Sequence, residues 1–377
     1  MTLPTKLAVA PFKDMSGYAT LARNYLRAIL QIDNPQSWVL ASTKYDSGSK
    51  TALHKSLKLA HDRQISNAVK VNVQILTPNE MRAMPGIKNI GICCWETDRI
   101  PKHWVENLNK FDVIVVPCTA NATALANSGV IKTIVVLPMP TFEEDYNLKD
   151  VKKYSIPGIT EDTTVYYNIS QWSHKKGIDA LIRSYYLAFQ KQEDVLLMLK
   201  GYVGMTNQRG DSQKLLSAIN EIRAAMRLKN YPRIFVSDDV TDEAGIKRYH
   251  ATGDCYVNFS RGEGWCIPAY DAAMYGKELI TVQHTAMLDW VNPQYTFVVE
   301  SHKDSVHNMP HPDPDLYTAN ELWYEPNIYS GALAFQEHFS GAKRFKNCEE
   351  YRKELLVKNN AVSIGKQLLT AIEWEIV

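Results

Sequence analysis

Neither sign of charge prevails in this sequence. Lysine and arginine number 42 against 41 aspartates and glutamates, a formal net charge of +1. That balance argues against a broad electrostatic grip on nucleic acid or an anionic membrane, while leaving room for a local basic groove. No run of about 18 apolar residues occurs, so no membrane-spanning helix is expected. The opening stretch "MTLPTKLAVAPFKDMSG" has an apolar segment too short for a signal peptide and lacks a small-residue cleavage site. The six cysteines, Cys93, Cys94, Cys118, Cys255, Cys266 and Cys348, contain no CxxC spacing. Most lie in apolar strand-like runs, where a free thiol acts as a small buried hydrophobe. A reducing, cytoplasmic setting without disulfides or structural zinc is therefore expected. The ten histidines form no HExxH. His307 and His311 stand four apart in a Pro-rich stretch that disfavours a helix, so no metal is expected. GxSxG, P-loop and GxGxxG patterns are all missing, as is any internal repeat of 20–50 residues.

What is present is an alternation. With 377 residues, 45% hydrophobic and 22% charged, the chain has the make-up of a soluble globular protein of two domains. Short apolar runs such as "KLAVA", "VNVQIL", "NIGICCW" and "FDVIVVP" alternate with amphipathic helical stretches. In "YATLARNYLRAIL", Leu21, Tyr25, Ala28 and Ile29 share one face. "PKHWVENLNK" places Pro101 at an expected first helical position. Around 140–163 the pattern gives way to a polar, charged segment containing Pro157-Gly158, read as a linker. A second alternating series follows, from "VYYNIS" to "ELITV". Residues 300–330, rich in Pro, His, Asn and Asp, read as a long surface loop, and the last stretch as two helices. The expected fold class is α/β, with two Rossmann-like, doubly wound parallel sheets in tandem. Ligands of such folds bind beyond the carboxyl ends of the strands and, with two domains, in the cleft between them.

Four stretches could carry chemistry. Gly17, between the first strand and its helix, lets a backbone approach a ligand beside free helix-start amides; a tight turn explains it as well. In "SQWSHKKGIDAL", Lys175 and Lys176 precede Gly177 and a helix, where lysines can pair with phosphate; the plainer reading is a solvated surface pair. Lys200, ending "VLLMLK", can face the same strand-end cleft. In "GEGWCIPAYDAAMYGK", Gly262 and Gly264 free the backbone around Glu263, and Pro268 sets a helix start. Unpaired amides there suit a phosphate or sugar oxygens. Both Glu263 and Asp271 can accept paired hydrogen bonds from a diol. A carboxylate favouring a helix start accounts for Asp271 but not for glycines on both sides of Glu263.

Together these stretches make most of the chain resemble nucleotide-sugar-dependent glycosyltransferases of the GT-B fold, specifically the retaining enzymes of family 4. "DEAGIKRYHATGDCYVNFSRGEGWCIPAYDAAMYGKELI" is similar to that family's E-x7-E region and "NISQWSHKKGIDALIRSYYLAF" to its basic loop. The resemblance implies an N-terminal acceptor-binding domain over 1–158, a C-terminal nucleotide-sugar domain over 159–355, and a helix over 356–377 that packs back on the first. It implies that Glu263 contacts the transferred sugar and that amides of Gly264, Trp265 and Cys266 meet sugar and distal phosphate. Asp271 would hold the ribose diol. Lys176, seconded by Lys175, would pair with the diphosphate, and Gly17 would let the first domain approach it. Glu96 and Asp98, in "WETDRIP", fall on the acceptor side. The donor would be UDP- or GDP-linked, with no metal or other cofactor. The acceptor would be a surface glycan, a lipid-linked sugar or a hydroxymethylated base of viral DNA; a non-catalytic sugar- or nucleotide-sugar-binding protein is the alternative of another class. The chain departs from the family in having Asp271 where glutamate is usual and Gln171 where an arginine is common.

Overall fold

The computed structural model describes residues 5–13, 16–43, 54–61, 63–65, 67–191, 194–202, 212–239, 241–309, 316–341 and 348–373. The chain divides into two units, Met1–Glu143 together with Leu355–Val377, and Glu144–Glu354.

The first unit contains β1 (Lys6–Ala10), β2 (Trp38–Ser42), β3 (Val71–Ile75), β4 (Lys88–Ile92), β5 (Val113–Val116) and β6 (Thr133–Val136). They form one parallel sheet in the order β2-β1-β3-β4-β5-β6. Parallel strands covered on both faces need apolar residues in succession, and β5, Val-Ile-Val-Val, is buried throughout. The connecting helices are α1 (Gly17–Leu30), α2 (Lys55–His61), α3 (Lys102–Leu108) and α4 (Thr119–Asn127). α1 buries Leu21, Tyr25, Ala28 and Ile29, and the Ser16 side chain caps its start by accepting from the Ala19 amide. Pro101 is the N-cap of α3 rather than its first helical residue. Its ψ of 143° is extended, so the helix begins only at Lys102.

The second unit contains β7 (Thr164–Gln171), β8 (Val195–Tyr202), β9 (Arg233–Ser237), β10 (Cys255–Asn258), β11 (Glu278–Val282) and β12 (Phe297–Val299). Their order is β12-β11-β10-β7-β8-β9, again parallel. The chain runs outward from β7 to β9 and then restarts on the other side with β10. That reversal creates a crevice at the carboxyl ends of β7 and β10, where open α/β sheets bind their ligands. Helices α5 (Ile178–Ala188), α6 (Ser212–Met226), α7 (Glu243–Thr252) and α8 (Ile267–Met274) follow β7, β8, β9 and β10.

The expectation of a loop over 300–330 is corrected. β13 (Ser301–Ser305) pairs antiparallel with β14 (Leu322–Pro326), and α9 (Ile328–Ser340) follows. Residues 310–315 lie outside the described residues. β13 is Ser-His-Lys-Asp-Ser and exposes both faces to some degree, so it carries no apolar alternation. Trp323, fully buried on β14, supplies the hairpin's anchor.

The last helices are α10 (Cys348–Lys358) and α11 (Ala361–Glu373). The second boundary between units falls inside α10. α11 belongs to the first unit and packs on α1, where Ala28, Phe142 and Ala361 form a buried cluster. Gly365 permits the close approach: a Cβ there would stand 2.5 Å from the Ala28 carbonyl oxygen.

Candidate functional site

In the second unit, the loops leaving β7 and β10 cross each other at the crevice. After β7 the chain makes a 3-10 turn over His174–Lys176 and passes through Gly177, which has φ +62°. A Cβ on Gly177 would lie 1.9 Å from the Phe259 carbonyl oxygen, so only glycine fits this crossing. The Arg261 amide donates to the Lys175 carbonyl at 2.7 Å. This contact brings the basic loop against the glycine loop. Lys176 Nζ then reaches Glu263 Oε1 at 2.5 Å, and Ser260 Oγ donates to the same oxygen at 2.5 Å. The Lys176 and Glu263 side chains are 20% and 10% exposed, enclosed but still open to a ligand.

The backbone of Glu263 is held at both ends. Its amide donates to Thr285 Oγ1 at 3.1 Å, and its carbonyl accepts from the Ala286 amide. Thr285 has φ +49° and Cys266 φ +67°, left-handed conformations uncommon for non-glycine residues. Such strain persists where surrounding contacts over-determine the backbone. Cys266 is the N-cap of α8 and offers no side-chain cap oxygen, so the helix start presents amides at the loop that carries Glu263. Burial raises the Cys266 thiol well above its ordinary range, which keeps it protonated.

Arg261 ties this site to its surroundings. Its side chain is 1% exposed. It donates two hydrogen bonds to the Asp179 carboxylate, at 3.1 and 3.2 Å, and two to Glu325, with Nη2 to Oε1 at 2.7 Å and Nε to Oε2. Nη1 also donates to the His174 carbonyl. One guanidinium thus joins the basic turn, the first turn of α5 and β14. A planar fork with fixed donors suits such bidentate pairing.

Asp271 lies on α8, beyond the loop. Tyr146 Oη donates to its Oδ1 at 2.8 Å, and the Tyr146 and Tyr275 rings pack 5.2 Å apart. Burial, aided by Asp145 and Glu243, pushes the Asp271 carboxyl up to about 7 against the lowering effect of the Tyr146 hydroxyl. Lys200 is 4% exposed near the end of β8, its amine 5.1 Å from the centre of the Tyr202 ring. Burial lowers its pKa, and Asp239 and Asp238 partly restore it.

Gly17, Glu96 and Asp98 belong to the first unit and share one sheet edge there. Gly17 begins α1, after β1. The next residue, Tyr18, donates through Oη to the Cys94 carbonyl at 2.9 Å and accepts from the Cys94 amide. The segment after β4 is framed by neutral groups. Asn121 accepts from the Trp95 amide and donates to its carbonyl, while the Trp95 indole N–H reaches Thr97 Oγ1 and the Arg99 carbonyl. Glu96 and Asp98 are half-buried on this frame.

Lys175, Lys176, Glu263, Gly264, Trp265 and Cys266 therefore come together at the β7–β10 crevice, and Asp271 follows along α8. Sequence reasoning did not single out Ser260, Arg261, Thr285, Glu325 or Tyr146. Arg261 stands within the glycine loop, yet its partners lie 82 and 64 positions away, and no local pattern shows them.

No known protein-family profile matches the chain, and neither does any curated protein sequence. Solved structures do match. Anabaena HepE in complex with UDP and glucose superposes with a TM-score of 0.62 at 12% identity, over 99% of this chain and 100% of that one. The UDP-forming α,α-trehalose-phosphate synthase of Burkholderia xenovorans gives 0.57 at 11% identity, over 81% and 74%. TarM of S. aureus, in a complex containing UDP, gives 0.56 at 13% identity; 81% of this chain spans about half (55%) of that one. The likeness is one of fold: the chain has the GT-B architecture, an α/β arrangement of two Rossmann-like units.

Proposed function

We propose that this chain is a glycosyltransferase that moves a hexose or pentose from a nucleotide-diphosphate sugar to an acceptor hydroxyl, with retention, in the manner of family 4. The observation that carries this reading is the Lys176–Glu263 pair at 2.5 Å, set in the crevice where β7 and β10 diverge. In the donor complex the two side chains exchange each other for ligand. Glu263 accepts hydrogen bonds from sugar hydroxyls, and Lys176 meets the diphosphate with the α8 amides. Negative charge develops on the leaving diphosphate, so positive groups fixed there stabilise the transition state more than the ground state. The diphosphate, still on the face it left, takes the proton of the incoming hydroxyl. Lysine and helix-start amides supply the countercharge, and the step as read needs no metal. Asp271 holds the ribose diol after release from Tyr146. UDP in the TarM and HepE complexes, and the UDP-forming activity in the synthase's name, support a UDP-linked donor over a GDP-linked one. A surface glycan or lipid-linked sugar is the acceptor class this reading favours.

The test is a thermal-shift scan of nucleotide-sugars, followed by turnover assays against sugar, lipid-linked and hydroxymethylated-DNA acceptors. Hydrolysis or transfer from one donor, abolished in Glu263→Ala, is expected. Unchanged turnover in that variant removes Glu263 from the site. Donor binding without turnover on any acceptor makes the chain a nucleotide-sugar-binding protein.

A further inference from the structure

Beside the basic turn that carries Lys176, three metal-ligating side chains converge. His174 Nε2 and His307 Nε2 stand 3.0 Å apart. With a carboxylate oxygen of Glu325, these atoms all lie within 4.8 Å of one another. They come from the turn after β7, the residues after β13, and β14. The buried Trp323 ring lies against both imidazoles, at 5.6 and 5.4 Å between centroids.

We propose that His174, His307 and Glu325 bind one divalent transition-metal ion of the zinc class, which fastens the basic turn to the β13–β14 hairpin. Two imidazole nitrogens and one carboxylate oxygen form a donor set suited to zinc, with a fourth position left to solvent. The tautomer of His307 is fixed by geometry. Its Nδ1 lies 2.9 Å from the Ser305 carbonyl, which can only accept. Nδ1 therefore carries the proton, and Nε2 turns its lone pair toward His174. A backbone carbonyl on the far ring nitrogen is the usual outer partner of a metal-bound histidine.

Charge and orientation agree with this. Arg261 faces two carboxylates, Asp179 and Glu325, which leaves one negative charge in excess beside the imidazoles. The Arg261 fork also orients Glu325 while leaving lone pairs on both of its oxygens. Tetrahedral ligands at about 2.0–2.1 Å stand roughly 3.3 Å apart. The imidazole pair already has that spacing, and the carboxylate closes by at most roughly 1.5 Å. Such an ion takes no part in the transfer step. It positions the turn that carries Lys176, and the site stands whether or not the transferase reading holds.

The experiment uses the full chain, stripped with a chelator, desalted and titrated with Zn2+ against a chromophoric competitor. One ion per chain is expected. Co2+ in its place is expected to give the visible spectrum of a nitrogen-ligated, low-coordinate ion. His307→Ala is expected to weaken binding at least roughly 100-fold, since even outer-sphere changes cost about 10- to 100-fold. His103→Ala, on α3 in the other unit, leaves binding unchanged. A wild-type chain that takes up no stoichiometric ion overturns the proposal, as does uptake equal to that of a His174→Ala/His307→Ala double variant. The contact is then a hydrogen bond between imidazoles. The wild-type Co2+ spectrum decides the matter even if a variant fails to fold: a spectrum without nitrogen ligands also overturns it.

Discussion

The carboxyl-end edges of the two sheets are built from different materials. In the second unit the β7 and β10 loops are joined by full charges: Lys176 with Glu263, and Arg261 with Asp179 and Glu325. In the first unit the loops after β1, β4 and β5 meet through neutral groups, Tyr18 on the Cys94 backbone and Asn121 on the Trp95 backbone. A buried ion pair costs desolvation and needs complete partners. Under the proposed function its positive member, Lys176, is the group that meets the diphosphate. A neutral amide frame costs less and does not commit the loop it carries to one sign of ligand. Under the proposed function, an edge whose loops are joined by neutral groups would be the one to receive an uncharged acceptor hydroxyl.

The comparison can be broken most sharply by activity. Glu263→Ala is expected to lower turnover on the order of 1,000-fold, as loss of a preorganised transition-state contact does; steady-state kinetics on the best donor measures it. The next effect is on stability. Arg261→Met strands Asp179 and Glu325, and because both carboxylates reach some solvent the loss sits near the lower end for a broken buried pair, about 3 kcal/mol. Urea unfolding checks it, and a loss under 1 kcal/mol refutes the ionic hub. The neutral counterpart, Asn121→Ala, removes two buried hydrogen bonds to the Trp95 backbone and is expected to cost about 2 kcal/mol. If it matches or exceeds Arg261→Met, the contrast between the two edges fails.

A separate effect is a pH slope. Asp271 is raised to about 7 in the folded chain, far above the unfolded value near 3.9. The folded form therefore holds the proton more tightly, and this contribution to stability is full below about pH 4 and lost as pH rises through about 7. His250 and His284, lowered to about 3 by burial, act oppositely: their contribution is full above about pH 6.5 and lost as pH falls. The difference between wild type and Asp271→Asn isolates the carboxyl. Their unfolding free energies are expected to move in the variant's favour between pH 4 and 7, and parallel curves would show that Asp271 ionises normally.

The fold was legible because parallel strands buried on both faces must be apolar throughout. "VIVV" and "VLLML" can hardly be anything else, and α1 showed its buried face by period alone. β13 was hidden for the converse reason: a hairpin strand of Ser, His, Lys and Asp is held by its backbone ladder and by Trp323 across the pair. At the site, Glu263 was legible because glycines on both sides signal a backbone under special demand. Lys176 was not legible from its own stretch, where a solvated surface pair is the plainer reading; only the resemblance singled it out. Arg261, two residues before Glu263, was not legible either, because an arginine beside a glycine looks the same whether it faces water or three partners distant in sequence. His174 and His307 escaped for the same reason. Their pairing spans 133 positions, and spacing rules search only within a few turns.

The return of α11 to the first unit has a consequence for synthesis. A ribosome makes Ala361–Glu373 after every strand of both sheets. Until then, Ala28 and Phe142 lack the helix that covers them. The second unit can therefore finish folding while the first still waits for its last helix, an inversion of the usual N-terminal-first order. During that interval the apolar surface around Ala28 and Phe142 stays open to water.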